Sequence, residues 1–399
     1  MTLLKIKEIS STNPLENTLK DPLNNVTNNT LKQPKSTFFY LRIAGIILAF
    51  IMIAFLFWAS LEIMVRALHI VGEKEAKLLI KGSFNPFLAV FGGILITAIV
   101  QSSSLVTSMI VAMVASGVLS MEIGINIVMG ANIGTTLTCM MVSLAYPTRK
   151  KEFKKAFAGS LLHVFFNILS VFLLFPIEYY FGGLSWLSGE ASRFLIEIKT
   201  TIPVDFSMYV KLFINPIVNT LLLFVENGFI LLIISFLLLF LSLRLLLMMF
   251  KNIVINRLMT KLEVFLLGNE SRSLFWGILI TAIVRSSSVM TSWVTLRVAS
   301  NQIPLKSSFA FILGANIGTT ITALLATIGL SNISIQIAMA HILFNVLGVA
   351  LMYILPFLRN YLIFLARYCG HQVAEKRILG VLGILLIFFI IPFLLIYFN

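Results

Sequence analysis

Residues 93–104 read GILITAIVQSSS and residues 277–288 read GILITAIVRSSS, two blocks 184 positions apart that share eleven of twelve residues. Each carries eight mainly apolar residues into one polar residue and three consecutive serines. Hydroxyls gathered at the end of an apolar segment are costly in lipid, so a repeated cluster of them needs a physical reason.

The composition places that repeat in a membrane. With 59% hydrophobic and 12% charged residues over 399 positions, and a mean hydropathy of +0.99, the chain is too apolar for a soluble globule of its length. Windows 38–64, 228–250 and 378–399 reach the roughly 20 mainly apolar residues that a bilayer-crossing helix needs. The net charge of +14, from 30 Lys and Arg against 16 Asp and Glu, then marks cytoplasmic loops. Nucleic-acid binding is disfavoured, because the basic residues form no long run with interleaved aromatics. The two cysteines, Cys139 and Cys369, have neither metal-ligand nor disulfide-framework spacing. Residues 1–37 lack the order of a signal peptide and are read as a disordered cytoplasmic tail.

The repeat divides the chain into six stretches. Residues 38–82, after the tail, hold a first transmembrane helix and a mixed-charge connector with Glu73, Lys74, Glu75 and Lys77. Residues 83–181 form repeat 1. The segment 85–117 is apolar on both sides of Gln101–Ser104 and reads as one long helix or as two half-helices meeting at a polar tip. We favour the re-entrant hairpin, since non-helical backbone at membrane depth is tolerated only where protein or a water-filled cavity surrounds it. The block GANIGTT at 130–136 interrupts the next crossing and predicts a broken or kinked helix. Residues 182–270 are assigned to an external loop with an interfacial helix and a transmembrane helix. Residues 271–357 are repeat 2, and 358–399 a basic connector and a last span.

GANIGTT recurs at 314–320 with the same offset of 184, and Thr138 matches Thr322. The offset then falls to 178, so HVFFN at 163–167 pairs with HILFN at 341–345. The connector before the first of these holds Arg149, Lys150, Lys151, Lys154 and Lys155, whereas its counterpart at 329–336 has no charge. By the positive-inside rule the two connectors lie on opposite sides of the membrane, which is the inverted-repeat plan of secondary transporters. The expected fold is therefore an all-α integral membrane protein with two inverted-topology repeats, each with a re-entrant helical hairpin and a broken transmembrane helix. That makes seven crossings and two hairpins with the C-terminus outside; an eighth crossing at 208–227 would flip that end.

The chemistry is set by the polar tips. Serine hydroxyls and free N–H groups at helix N-termini donate to oxyanions, and carbonyls, amide oxygens and hydroxyl lone pairs coordinate Na⁺. Ser102–Ser104 and Ser286–Ser288 are expected to be two facing halves of one site. Close helix packing by small residues is the bland alternative; recurrence in both halves, each with a second polar block at the same distance, argues for a site. His163 and His341 lie beside Asn167 and Asn345 and are read as making interhelical hydrogen bonds rather than coupling protons. No enzyme is expected, since neither serine motif holds an acid to orient a base.

QSSS beside GANIGTT, repeated with inversion, resembles the type II sodium-phosphate cotransporter family over residues 85–181 and 273–356. The resemblance implies sodium-coupled symport of inorganic phosphate by alternating access, in a multi-pass protein of the plasma membrane. It maps the substrate and ion site onto Gln101, Ser102, Ser103, Ser104, Ser286, Ser287 and Ser288, with Asn132, Thr135, Thr136, Asn316, Thr319 and Thr320 as broken-helix partners. Na⁺, the coupling ion, falls at Gln101, Ser286, Thr319 and Thr320. One position departs from the family, which has Gln in both motifs where this chain has Arg285. A guanidinium has five donors and no acceptor, so Arg285 is expected to bind phosphate or to replace one sodium, a structural ion pair being the alternative. A passive anion channel or uniporter, with Arg285 as fixed cation, is the competing function.

Overall fold

The computed structural model describes residues 37–71, 85–144, 149–201, 206–253 and 267–398. The expected tail and most of the mixed-charge connector lie outside them. The described residues are helical, without a strand. Seven helices are long and apolar enough to cross a membrane, matching the number expected: Tyr40–Val71, Met121–Ser143, Lys150–Phe181, Gly228–Met249, Leu305–Ala326, Ile333–Ile354 and Ile378–Tyr397.

Helix α1 (Thr37–Val71) begins in an N-terminal unit, Met1–Met52, where residues such as Leu41 and Leu48 are exposed; the second unit is Ile53–Asn399. Within the second unit the first repeat contains α2 (Pro86–Val100), α3 (Ser103–Ala115), α4 (Met121–Gly134), α5 (Leu137–Ser143) and α6 (Lys150–Phe181). Asn85 caps α2 by accepting from the Leu88 amide at 2.8 Å, with Pro86 at the first helical position where its missing N–H is harmless. At 15 and 13 residues, α2 and α3 are each about 20 Å long, too short to span a bilayer.

α2 and α4 pack backbone to backbone. A methyl group on Gly93 would collide with the Ile127 carbonyl, one on Gly130 with the Val90 carbonyl, and one on Gly134 with the Ile94 carbonyl. The second repeat makes the same contact. Its α10 (Glu270–Val284) and α12 (Leu305–Thr319) meet where Gly277 faces the Phe311 carbonyl, Gly314 the Leu274 carbonyl and Gly318 the Ile278 carbonyl. The two identical sequence blocks are therefore the two sides of one small-residue helix crossing, built twice.

Residues 182–201, within the stretch expected to hold an external loop and an interfacial helix, form helix α7 (Gly183–Thr201), seated against α14 (Ile333–Ile354). The buried Glu178 of α6 fixes the corner by accepting from the Leu184 amide at 2.8 Å and the Ser185 amide at 2.9 Å. The basic connector is likewise a helix, α15 (Pro356–Glu375), packed on α6. The break within GANIGTT is mild: Thr135 and Thr136 keep right-handed φ/ψ values of −63°/−22° and −72°/−16° between α4 and α5. Thr320 does the same, at −66°/−19°, between α12 and α13 (Ile321–Ala326). These are kinks in continuing helices.

α8 (Phe206–Phe224) is joined to α1 through Arg66, which donates to Asn219 at 2.6 Å and Asn215 at 3.3 Å. α9 (Gly228–Ile253) comes next. The last helix, α16 (Ile378–Tyr397), carries one π-helical turn at Leu386–Ile390 just before Pro392.

Candidate functional site

Each serine motif begins at a helix end that stops in an unusual way. Gln101 and Arg285 terminate α2 and α10 in the left-handed region, at φ 56° and 58°, and their amides donate back to the Thr97 and Thr281 carbonyls at 2.7 and 2.6 Å. Among the described residues only Asn301 is a further non-glycine with positive φ. Such a conformation is disfavoured for side chains like these and persists where the surroundings hold it.

The next residue, Ser102 or Ser286, is extended (φ −148°) and starts the following helix. Its hydroxyl caps the amide of Leu105 at 3.3 Å or Val289 at 3.4 Å. That cap leaves the first amides of α3 and α11 (Ser287–Ala299), those of Ser103, Ser104, Ser287 and Ser288, without intrahelical acceptors. Both N-termini thus present free donors and the positive end of a helix dipole.

The structure brings the two motifs together around one cavity of about 320 Å³, lined by Gln101–Ser104, Arg285–Ser288 and Thr138, with α9 as a further wall. The motifs also touch. Ser104 Oγ donates to the Arg285 carbonyl at 3.2 Å. Thr135 Oγ1 lies 3.3 Å from Ser103 Oγ and 2.9 Å from Ser288 Oγ, so one threonine of the first GANIGTT joins both serine clusters.

The remaining expected residues stand behind the cavity. Asn132 donates to the Val128 carbonyl and accepts from Asn345 at 3.2 Å; Asn316 donates to the Ile312 carbonyl and meets His163 Nε2 at 3.2 Å. Thr136 and Thr320 turn back onto the carbonyls of Ile133 and Ile317, and the buried Thr319 hydroxyl has no partner. Gln101 lines the cavity but its amide contacts Met141 sulfur. The four expected sodium ligands are therefore not one cluster here: Gln101 and Ser286 border the cavity, Thr319 and Thr320 do not.

Arg285 is half-buried over the Phe57 ring, 5.9 Å from its centroid, and its Nε and Nη2 are buried without a hydrogen-bond partner. It makes no ion pair among the described residues. Unpaired guanidinium nitrogens beside free helix amides are a donor set suited to an anion. Two lining residues lie outside the expected set: Thr138, which the sequence marks only by its match with Thr322, and Arg244, a lone charge near the end of an apolar run.

Taken together, these features define a polytopic α-helical membrane protein in which a duplicated helix-capping motif surrounds a polar cavity. The sequence profile of the Na⁺/Pi-cotransporter family matches residues 55–182 and 237–364, and the chain belongs to that family. It is 30% identical over 422 residues to the sodium-dependent phosphate transport protein 2A of Mus musculus, with 86% of this chain and 66% of that protein covered. It is 29% identical over 434 residues to the sodium-dependent phosphate transport protein 2B of Homo sapiens, covering 85% and 63%. The chain thus spans slightly less than two thirds of these relatives. No solved structure matches it significantly.

Proposed function

We propose that this protein carries inorganic phosphate across the plasma membrane by sodium-coupled symport and alternating access, with the cavity between the two serine motifs as the phosphate site. The observation that carries the reading is the meeting of both motifs, in the same backbone conformation, around a cavity rich in donors. Family membership and the names of the relatives support phosphate as substrate and Na⁺ as coupling ion.

In this reading α2–α3 and α10–α11 are re-entrant hairpins of inverted repeats. Two contacts support the inversion. The base of the second hairpin meets the basic start of α6, Lys155 donating to Asn301. The base of the first hairpin instead meets the uncharged connector, Ser331 donating to the Ala115 carbonyl at 3.2 Å. Phosphate is held by Ser102–Ser104, Ser286–Ser288 and Arg285, with Thr135 coupling the halves. Gln101 and Ser286 at the cavity, and Thr319 and Thr320 behind it, supply oxygens for Na⁺.

Reconstitution into proteoliposomes tests this. Labelled phosphate accumulates above equilibrium when an inward Na⁺ gradient is imposed, and the excess collapses when the gradient does. Uptake that only equilibrates, with or without Na⁺, identifies a channel or uniporter and ends the symport reading.

A further inference from the structure

The wall that α9 adds to the cavity belongs to neither motif. Phe240, Leu243, Arg244, Leu246 and Leu247 line it, with Phe240, Arg244 and Leu247 at helical spacings of three, four and seven residues. Arg244 stands three residues from Leu241 and four from Met248, which are 46% and 51% exposed, so it lies at the outer edge of the lining and is itself exposed while bordering the cavity.

No described residue supplies a counter-charge in the cavity. Among the described residues no carboxylate lines the cavity, and neither Arg244 nor Arg285 forms an ion pair. Arg285 moreover keeps two buried nitrogens unbonded. Two guanidinium groups on one cavity, with serine hydroxyls and helix amides between them, make a donor set suited to an oxyanion.

We propose that Arg244 is a second substrate-binding cation, which grips the oxyanion from α9 while Arg285 and the serines hold it from the hairpin tips. The proposal rests on the cavity being the phosphate site. It adds that recognition extends beyond the repeated motifs to a helix that carries no part of them. A guanidinium on each side offers forked donors to two edges of a tetrahedral oxyanion, which one arginine does not.

Equilibrium binding of labelled inorganic phosphate to the purified full chain, with sulfate and arsenate as competitors over a range of salt, tests the role. Arg244→Gln is expected to weaken phosphate binding about tenfold or more and to flatten its salt dependence. Arg244→Lys, which keeps the charge but not the fork, recovers most of the loss. Arg193→Gln, at an exposed ion pair with Glu190, matches the parent protein. Arg244→Met replaces the Gln variant if that one is not monodisperse, since it keeps the packing of the stem. Parental affinity and salt dependence in a folded Arg244→Gln or Arg244→Met protein overturn the proposal. If the parent binds none of the three oxyanions, the cavity is no anion site and both readings fall together; phosphate binding that ignores Arg244 leaves the broader reading standing.

Discussion

Arg285 and Gln101 occupy the same backbone position in the two repeats, a left-handed cap between two helices, yet they bring opposite chemistry to it. The Gln side chain has an oxygen to offer a cation; the Arg side chain has only donors. Replacing Arg285 by Gln restores the symmetric motif, and we expect phosphate affinity to fall about tenfold and the sodium dependence of uptake to change, read from initial rates at varied Na⁺ and phosphate. Unchanged values for both would exclude Arg285 from the site. A second pair of equivalent residues is just as unequal. His163 bonds Asn316 across the repeats, while both ring nitrogens of the buried His341 have no partner. His163→Phe should lower stability by roughly 1–3 kcal/mol, whereas His341→Phe should be neutral or stabilising, because an unsatisfied buried polar group is exchanged for an apolar one of similar shape. Thermal unfolding in detergent checks both, and equal losses would contradict the assignment.

The crossings of α2 with α4 and of α10 with α12 depend on glycines whose hydrogens face carbonyl oxygens of the partner helix. Gly130→Ala and Gly314→Ala are each expected to cost about 1–3 kcal/mol or to prevent folding, since the helices must separate to admit a methyl group. Unfolding temperatures at or above that of the parent would show that the crossing is looser than described. The sequence disclosed both glycine blocks because they recur, but recurrence does not say what a glycine touches. Hydropathy likewise located the seven spanning helices, since continuous apolar runs answer to bilayer thickness alone. Charges such as Glu190, Arg193, Arg359 and Arg367 interrupt the apolar character of α7 and α15, so hydropathy suggests an interfacial helix or a connector there without showing what it packs against. GANIGTT suggested a broken or kinked helix because of its glycines, and the structure keeps the kink mild, with right-handed backbone at Thr135 and Thr136. Arg244 escaped notice for a related reason. Only the neighbouring elements decide whether one charge near the end of an apolar run faces lipid, headgroups or a cavity.

At the scale of the whole molecule, the proposed transport depends on the proposed inversion of the repeats, because hairpins entering from one side would leave no opposed pair of tips to gate a shared site. The side of each hairpin base can be measured independently of transport. In a chain carrying Cys139→Ser and Cys369→Ser, a cysteine introduced as Asn301→Cys at the base of the second hairpin should react with a membrane-impermeant maleimide only after permeabilisation. One introduced as Ser331→Cys, beside the base of the first hairpin, should react in intact cells. The expectation combines two independent constraints. Lys155 to Asn301 ties the second base to the cluster of positive charge, and positive charge stays on the cytoplasmic side. Ser331 to Ala115 ties the first base to a connector with no charge to retain it. Labelling of both cysteines from the same side would remove the inverted arrangement, and with it the alternating-access mechanism, while leaving the cavity and its two arginines to be explained as a pore.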